Sequence, residues 1–247
     1  MSESLTIAIP AHNEKGNIER AVLEAIDVGR RAGVDFEVLV VDDASDDGTA
    51  EILEKLGREH PELRVVRHDE NRGIVGSFKT IYSQARKELL FMNAADGQWS
   101  MEELFPMLEA LRSGPFDLVI GNRARKHYTP YRRFVSACFR ILSEKLFQVK
   151  LWDPGSIKLM REPIRRIPVD SRGVFEQAER IIRAHALGYR VAKVDVEHLP
   201  RTSGRGRGAS WRNVVGGVRD LARFYIRFRR GLASSPAAVN AADRRGS

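Results

Sequence analysis

Along the first half of the chain, apolar positions switch repeatedly between two periods. "LTIAIP" (5–10) and "FEVLVV" (36–41) are unbroken apolar runs of strand length, the pattern of strands covered on both faces. Between them Ile18, Val22, Ala25 and Ile26 recur at helical spacing, which predicts a helix over 17–31. The alternation continues with a helix over Thr49–Glu59, a strand over 63–67, a helix over 74–86 and a strand over 88–92. A helix over 101–114, closed by Gly114, and a strand over 116–121 complete it. Five such repeats with short connections predict an α/β fold: a Rossmann-like, mostly parallel central sheet with helices on both faces.

The second half is less regular. Residues 131–148 predict a basic amphipathic helix, "WDPGSIKLM" a turn into a strand, 174–187 a helix and 190–199 an alternating strand. "PRTSGRGRGAS" reads as an Arg- and Gly-rich loop. Residues 211–230 predict a basic C-terminal helix with Val214, Val215, Val218, Leu221, Ala222 and Tyr225 along one side. The expected organisation is one domain over 1–230, with halves of about 1–122 and 123–230, and a disordered tail over 231–247.

In open α/β sheets, ligands bind where the strands' carboxyl ends meet. Four polar clusters fall there: "AHNE" after the first strand, "DDAS" after the second, "NAAD" after the fourth and "GNRAR" after the fifth. Asp42 directly follows an apolar strand, where its carboxylate can accept hydrogen bonds from a ribose or base. Asp46, Asp47 and Thr49 are expected to cap the following helix. Asp96 is the single acid of "NAAD", and hard oxygen ligands of this kind suit Mg²⁺ or Mn²⁺.

Charge adds a further constraint. The net charge is +8, yet residues 201–247 hold 11 Arg and 2 Asp, so the first 200 residues sum to −1. Such a basic end suits anionic partners: a membrane surface, a phosphorylated acceptor or nucleic acid. Nucleic acid ranks last, because the strand-end acids would repel phosphates. The chain has one cysteine, Cys138, so no internal disulfide forms, which fits a reducing compartment. It shows no signal-peptide pattern and no apolar run of membrane-spanning length, so a cytoplasmic protein, at most peripheral to the inner membrane face, is expected. G-x-G-x-x-G after the first strand, a P-loop and zinc-spaced Cys/His are all absent.

"IAIPAHNEKGNI", "EVLVVDDASDDGT", "NRGIVGSFKT" and "FMNAADGQ", in this order and spacing, resemble family 2 glycosyltransferases of the GT-A fold. "DPGSIKLMRE", "GVFEQAERIIRAHALGYRV" and "VEHLPRTSGRGRG" extend the resemblance toward the dolichyl- or polyprenyl-phosphate sugar transferases, over about residues 5–230. The resemblance implies an inverting enzyme using a nucleotide-sugar donor, GDP-mannose or a UDP-hexose, and a polyprenyl phosphate acceptor. A soluble hydroxyl acceptor and a non-catalytic nucleotide-sugar binder are the alternatives.

On the same footing, Pro10, His12, Glu14, Asp42, Arg72 and Gln98 would face the nucleotide. Asp96 would be the second acid of the family's D-x-D motif and the metal ligand. Arg123, as a catalytic residue, and Arg201, Arg205 and Arg207 would hold phosphates of donor or acceptor, with Arg132 and Arg133 also on the acceptor side. Three departures stand out: Ala94 replaces the first acid of D-x-D, His12 replaces a tyrosine, and Ser156 replaces a glycine. A cation resting on Asp96, diphosphate oxygens, water and Asn93 would then bind more weakly. A hydroxyl acceptor would need a general base, with Asp153, Glu176 and Glu179 as candidates, and the resemblance points to Glu179. A phosphate acceptor needs none.

Overall fold

The computed structural model describes residues 3–123, 130–199 and 211–232. β1 (Ser4–Ala11) and β2 (Asp35–Asp42) pair in parallel, with Leu5 opposite Phe36 and Ala11 opposite Asp42. Leu5, Ile7, Ile9, Val38 and Val40 point into one core, Ala8, Leu39 and Val41 into another. This two-sided burial is why the two runs carry no polar alternation. β3 (Leu63–Arg67) and β4 (Leu89–Met92) extend the parallel sheet on either side. α1 (Ile18–Arg31), α2 (Thr49–Glu59) and α3 (Gly73–Gln84) make the crossovers. α1, α2 and α4 (Leu104–Arg112) supply the first core, while α3 supplies Ile81 and Tyr82 to the second.

The second half departs from a simple parallel continuation. The sheet has seven strands in the order β3-β2-β1-β4-β6-β5-β7. β5 (Leu118–Arg123) does not pair with β4. Between them lies β6 (Lys158–Arg161), antiparallel to both. After α5 (Pro130–Phe147) the chain re-enters from the carboxyl-end side and runs back through the sheet. Residues 153–157 are thereby laid over the ends of β4 and β5. β5 begins two residues later than the apolar pattern suggests, which puts Asn122 and Arg123 inside the strand.

A short α6 (Glu162–Arg165), α7 (Glu176–Ala186) and the edge strand β7 (Val191–Val196) follow. α8 (Trp211–Leu232) closes the second core with Leu221 and Phe224. The expected disordered tail falls, from residue 233 onward, outside the described residues.

Candidate active site

Two loops at the ends of β1 and β2 are laced together. Asn13 and Asp46 bond reciprocally, Asn13 Nδ2 to Asp46 Oδ1 at 2.8 Å and Asp46 N to Asn13 Oδ1 at 3.0 Å. Glu14 N donates to Thr49 Oγ1 and Lys15 N to Asp47 Oδ2, each at 3.0 Å. The polar run after β2 therefore braces the neighbouring loop, and only Asp47, through the Thr49 N–H, acts at the start of α2. His12 is held across both loops. Its Nδ1–H donates to the Asp43 carbonyl at 2.8 Å, which leaves Nε2 to accept from Asn71 Nδ2 at 2.9 Å. Pro10 sits half-buried beside it. The Glu14 carboxylate accepts from Asn17 Nδ2 at 2.7 Å.

The adjacent acids of β2's end divide their tasks. Asp43 Oδ1 accepts from the buried His68 Nδ1 at 2.7 Å and from the Arg72 backbone N–H at 2.8 Å. His68 in turn meets Thr80 Oγ1 at 2.8 Å, so this acid pins β3's exit and the start of α3. The Arg72 side chain stays exposed. Asp42 spends Oδ1 on the Ser45 N–H and hydroxyl. Its Oδ2 is fully buried and accepts no hydrogen bond; Arg67 Nε stands 3.4 Å away. A buried carboxylate oxygen in that state is costly unless a donor completes it. Asp42 and Arg67 help line a cavity of about 290 Å³.

Across the sheet, Asp96 is 5% exposed, and its Oδ1 accepts from Gln98 N at 3.1 Å over Gly97, whose φ is +70°. The Gln98 amide donates to His198 Nε2 at 3.2 Å, and Leu199 N donates to the Gln98 carbonyl at 2.9 Å. His198 meets Trp99 edge-on at 5.3 Å, and the Arg123 guanidinium lies 5.6 Å from the Trp99 ring centre. Arg123 is gripped by Asp153 through two 2.6 Å bonds, Nε to Oδ2 and Nη2 to Oδ1, with both residues buried. Lys158, buried where β6 begins, donates to the Ser156 carbonyl at 2.9 Å. Burial pushes its pKa down to about 8 against the pull of Glu176 and Asp153.

A family model for "Glycosyl transferase family 2" matches residues 6–167. The chain belongs to glycosyl transferase family 2. Among curated relatives of this family 2 glycosyltransferase, the glycosyltransferase AglD of Haloferax volcanii is 28% identical over 80% of this chain and 33% of its own length. The undecaprenyl-phosphate mannosyltransferase of Micrococcus luteus is 29% identical over 82% of this chain and 86% of its own. The chain spans 33%, 45% and 52% of the length of three of the curated relatives it matches. Glucosyl-3-phosphoglycerate synthase from Mycobacterium tuberculosis, solved with Mn²⁺, UDP and phosphoglyceric acid, superposes with a TM-score of 0.68 at 18% identity, covering 89% of this chain and 78% of that one. The fold is GT-A.

The other anticipated residues of this family 2 chain fall into three groups. Asn93 Oδ1 accepts from the Ala94 N–H at 2.7 Å, and its amide donates to the Ser100 carbonyl at 3.3 Å. Glu179 is fully buried and accepts from Asp170 N, Ser171 N, Ser171 Oγ and Arg183 Nε. It fastens the segment before α7. Glu176 is held by Arg180, and Gln177 also donates to it. Arg133 is exposed on the first turn of α5; the Arg132 side chain, Arg201, Arg205 and Arg207 lie outside what is described.

His198, Trp99, His68, Asn71 and Lys158 were not singled out from sequence. A lone His after an alternating strand carries no spacing signal; only the fold brings His198 to Gln98. Among the described residues no group of three or more His, Cys, Asp or Glu is placed to hold a metal.

Proposed function

We propose that this chain moves a sugar from a nucleoside-diphosphate sugar, GDP-mannose or a UDP-hexose, onto a polyprenyl phosphate with inversion at the anomeric carbon. The donor reading rests on two features at the strand ends. Asp42 offers a buried, unsatisfied acceptor suited to a base or ribose N–H or O–H. Asp96 lies across the sheet from it, beside Gln98 and His198.

The acceptor reading rests on one observation. Each of the three carboxylates suited to act as a base is held by an arginine: Asp153 by Arg123, Glu176 by Arg180 and Glu179 by Arg183. A carboxylate whose oxygens are already engaged by a guanidinium is not placed to receive a hydroxyl proton. A hydroxyl acceptor would need such a base, whereas a phosphate oxygen is already anionic. That oxygen attacks the anomeric carbon, the bond to the diphosphate breaks, and the nucleoside diphosphate leaves with the electron pair.

Asp96, a buried carboxylate, would be the one acidic ligand offered here to a divalent cation, and Ala94 leaves one carboxylate fewer than the D-x-D pair. When bound, Mg²⁺ or Mn²⁺ neutralises charge on the departing diphosphate. The buried Arg123–Asp153 pair fixes the loop that β6 lays over this end of the sheet. Transfer of labelled sugar into lipid-extractable product tests the reading.

A further inference from the structure

Among the described residues no helix is long and apolar enough to cross a membrane. Two neighbouring helices nevertheless turn apolar side chains outward. On α5, Tyr131, Phe134, Ile141 and Leu142 are 58%, 69%, 45% and 47% exposed. Their spacing of three, seven and one places them on one helix face. On α8, Val215, Val218 and Ile226 are 46%, 52% and 51% exposed, and at 100° per residue they fall within an arc of about 80°. Scattered exposed hydrophobics are ordinary; here each of two adjoining helices carries a stripe of them.

The two helices run side by side in the same direction. A methyl placed on Gly217 of α8 would stand 3.7 Å from the Phe139 ring of α5. Two turns further along both helices, Phe147 packs on Phe224, Tyr225 and Phe228. That inner side of α8 is used against the body, so its apolar surface is only half covered. The sequence pattern had put Val215, Val218 and Leu221 on a single side; in the structure Leu221 is buried and the two valines face out.

Charge identifies the occupant. α8 carries six arginines and one acid, and that acid, Asp220, accepts from the Gly173 N–H. Arg219, Arg223 and Arg230 border the valine and isoleucine stripe and are exposed. On α5 the one acid, Glu144, is paired with Arg140. Apolar side chains rimmed by guanidinium groups match a layer with acyl chains beneath phosphate headgroups.

We propose that the α5–α8 face seats on an anionic bilayer, with Phe134, Val218 and Ile226 entering the headgroup boundary and Arg219 and Arg223 on lipid phosphates. This deepens the functional reading, because a polyprenyl phosphate is drawn from the same bilayer. Its test needs no acceptor.

The full chain is floated with phosphatidylcholine vesicles and with vesicles containing phosphatidylglycerol. It co-floats with the anionic vesicles, binds neutral ones at least tenfold less, and is released as salt rises. The double change Phe134→Asp, Ile226→Asp lowers anionic-vesicle binding at least tenfold while its donor-induced thermal shift stays that of the unchanged chain. Equal flotation of the double variant, or no flotation of the unchanged chain, overturns the proposal. So does a dimer on size exclusion that the double variant loses, with no vesicle binding, since the face then belongs to a second copy. Vesicle binding without sugar transfer to lipid phosphate would leave this surface standing and refute the acceptor reading alone.

Discussion

Asp42 and Asp43 are adjacent in the chain and hold opposite kinds of partner. Asp43 is satisfied inside the protein by His68 and the Arg72 N–H, while Asp42 keeps one buried oxygen without a donor. The first acid is part of the scaffold; the second is available to a ligand.

Asp42→Asn tests that division. The side-chain oxygen can still accept from Ser45, so folding changes little, but an N–H₂ replaces the free acceptor. A hydrogen bond to a charged group contributes about 1.5–3 kcal/mol, so nucleotide-sugar affinity is expected to fall roughly 10- to 100-fold. Calorimetric titration checks it. Asp43→Asn, by contrast, is expected to cost stability first, read as a lower denaturation midpoint.

The buried Arg123–Asp153 pair makes a second expectation. Asp153→Leu leaves a buried guanidinium without its partner and is expected to cost about 3–5 kcal/mol in urea unfolding. Arg123→Met combined with Asp153→Leu recovers much of that loss. Stability recovered in the double variant without recovered transfer marks the pair as positioning the 153–157 loop. A double variant no more stable than Asp153→Leu contradicts the pairing.

Ala94 is expected to weaken cation use. Ala94→Asp restores a second carboxylate near Asp96 and is expected to tighten Mn²⁺ binding at least tenfold, measured by the Mn²⁺ dependence of donor binding. Unchanged Mn²⁺ affinity means that residue 94 does not face the cation. Asp96→Ala is expected to remove the metal dependence altogether.

Lys158 gives a pH signature. Its folded pKa lies near 8, below the ordinary 10.5, so between those values the unfolded chain holds more protons. Stability through this group is therefore lowest below pH 8 and rises as pH climbs toward 10.5. In Lys158→Met that contribution is gone. The stability difference between the variant and the unchanged chain is expected to shift with pH across this window, by at most about 1.4 kcal/mol per unit. A difference constant from pH 8 to 10.5 contradicts the burial of a charged Lys158.

What could be read from the chain was local. Thr49–Glu59 and Leu63–Arg67 have the bounds their apolar spacing and flanking turn residues imply, because short-range pattern sets such ends. The position of β6 was not legible: four residues reading "KLMR" carry no mark of which strands they join or in which direction. The site divided the same way. Asp42 and Asp96 stood out because they follow apolar runs, and Gln98 only through the family resemblance. The separate tasks of Asp42 and Asp43 depend on His68 and Arg72, 25 and 29 residues beyond Asp43, and His198 reaches Gln98 across 100 residues. Glu179 looked like a base because its neighbours matched a family motif; its four hydrogen bonds come from residues whose approach only the fold decides.

The proposed reaction is sugar transfer to a lipid phosphate without a general base. Radiolabelled GDP-mannose and UDP-hexoses are incubated with the protein, Mn²⁺ and a polyprenyl phosphate, and label is followed into butanol. Label is expected in the butanol layer with one of these donors, and Asp96→Ala is expected to abolish it. Label found only in water-soluble product, or transfer from no donor with any divalent cation, would contradict the account.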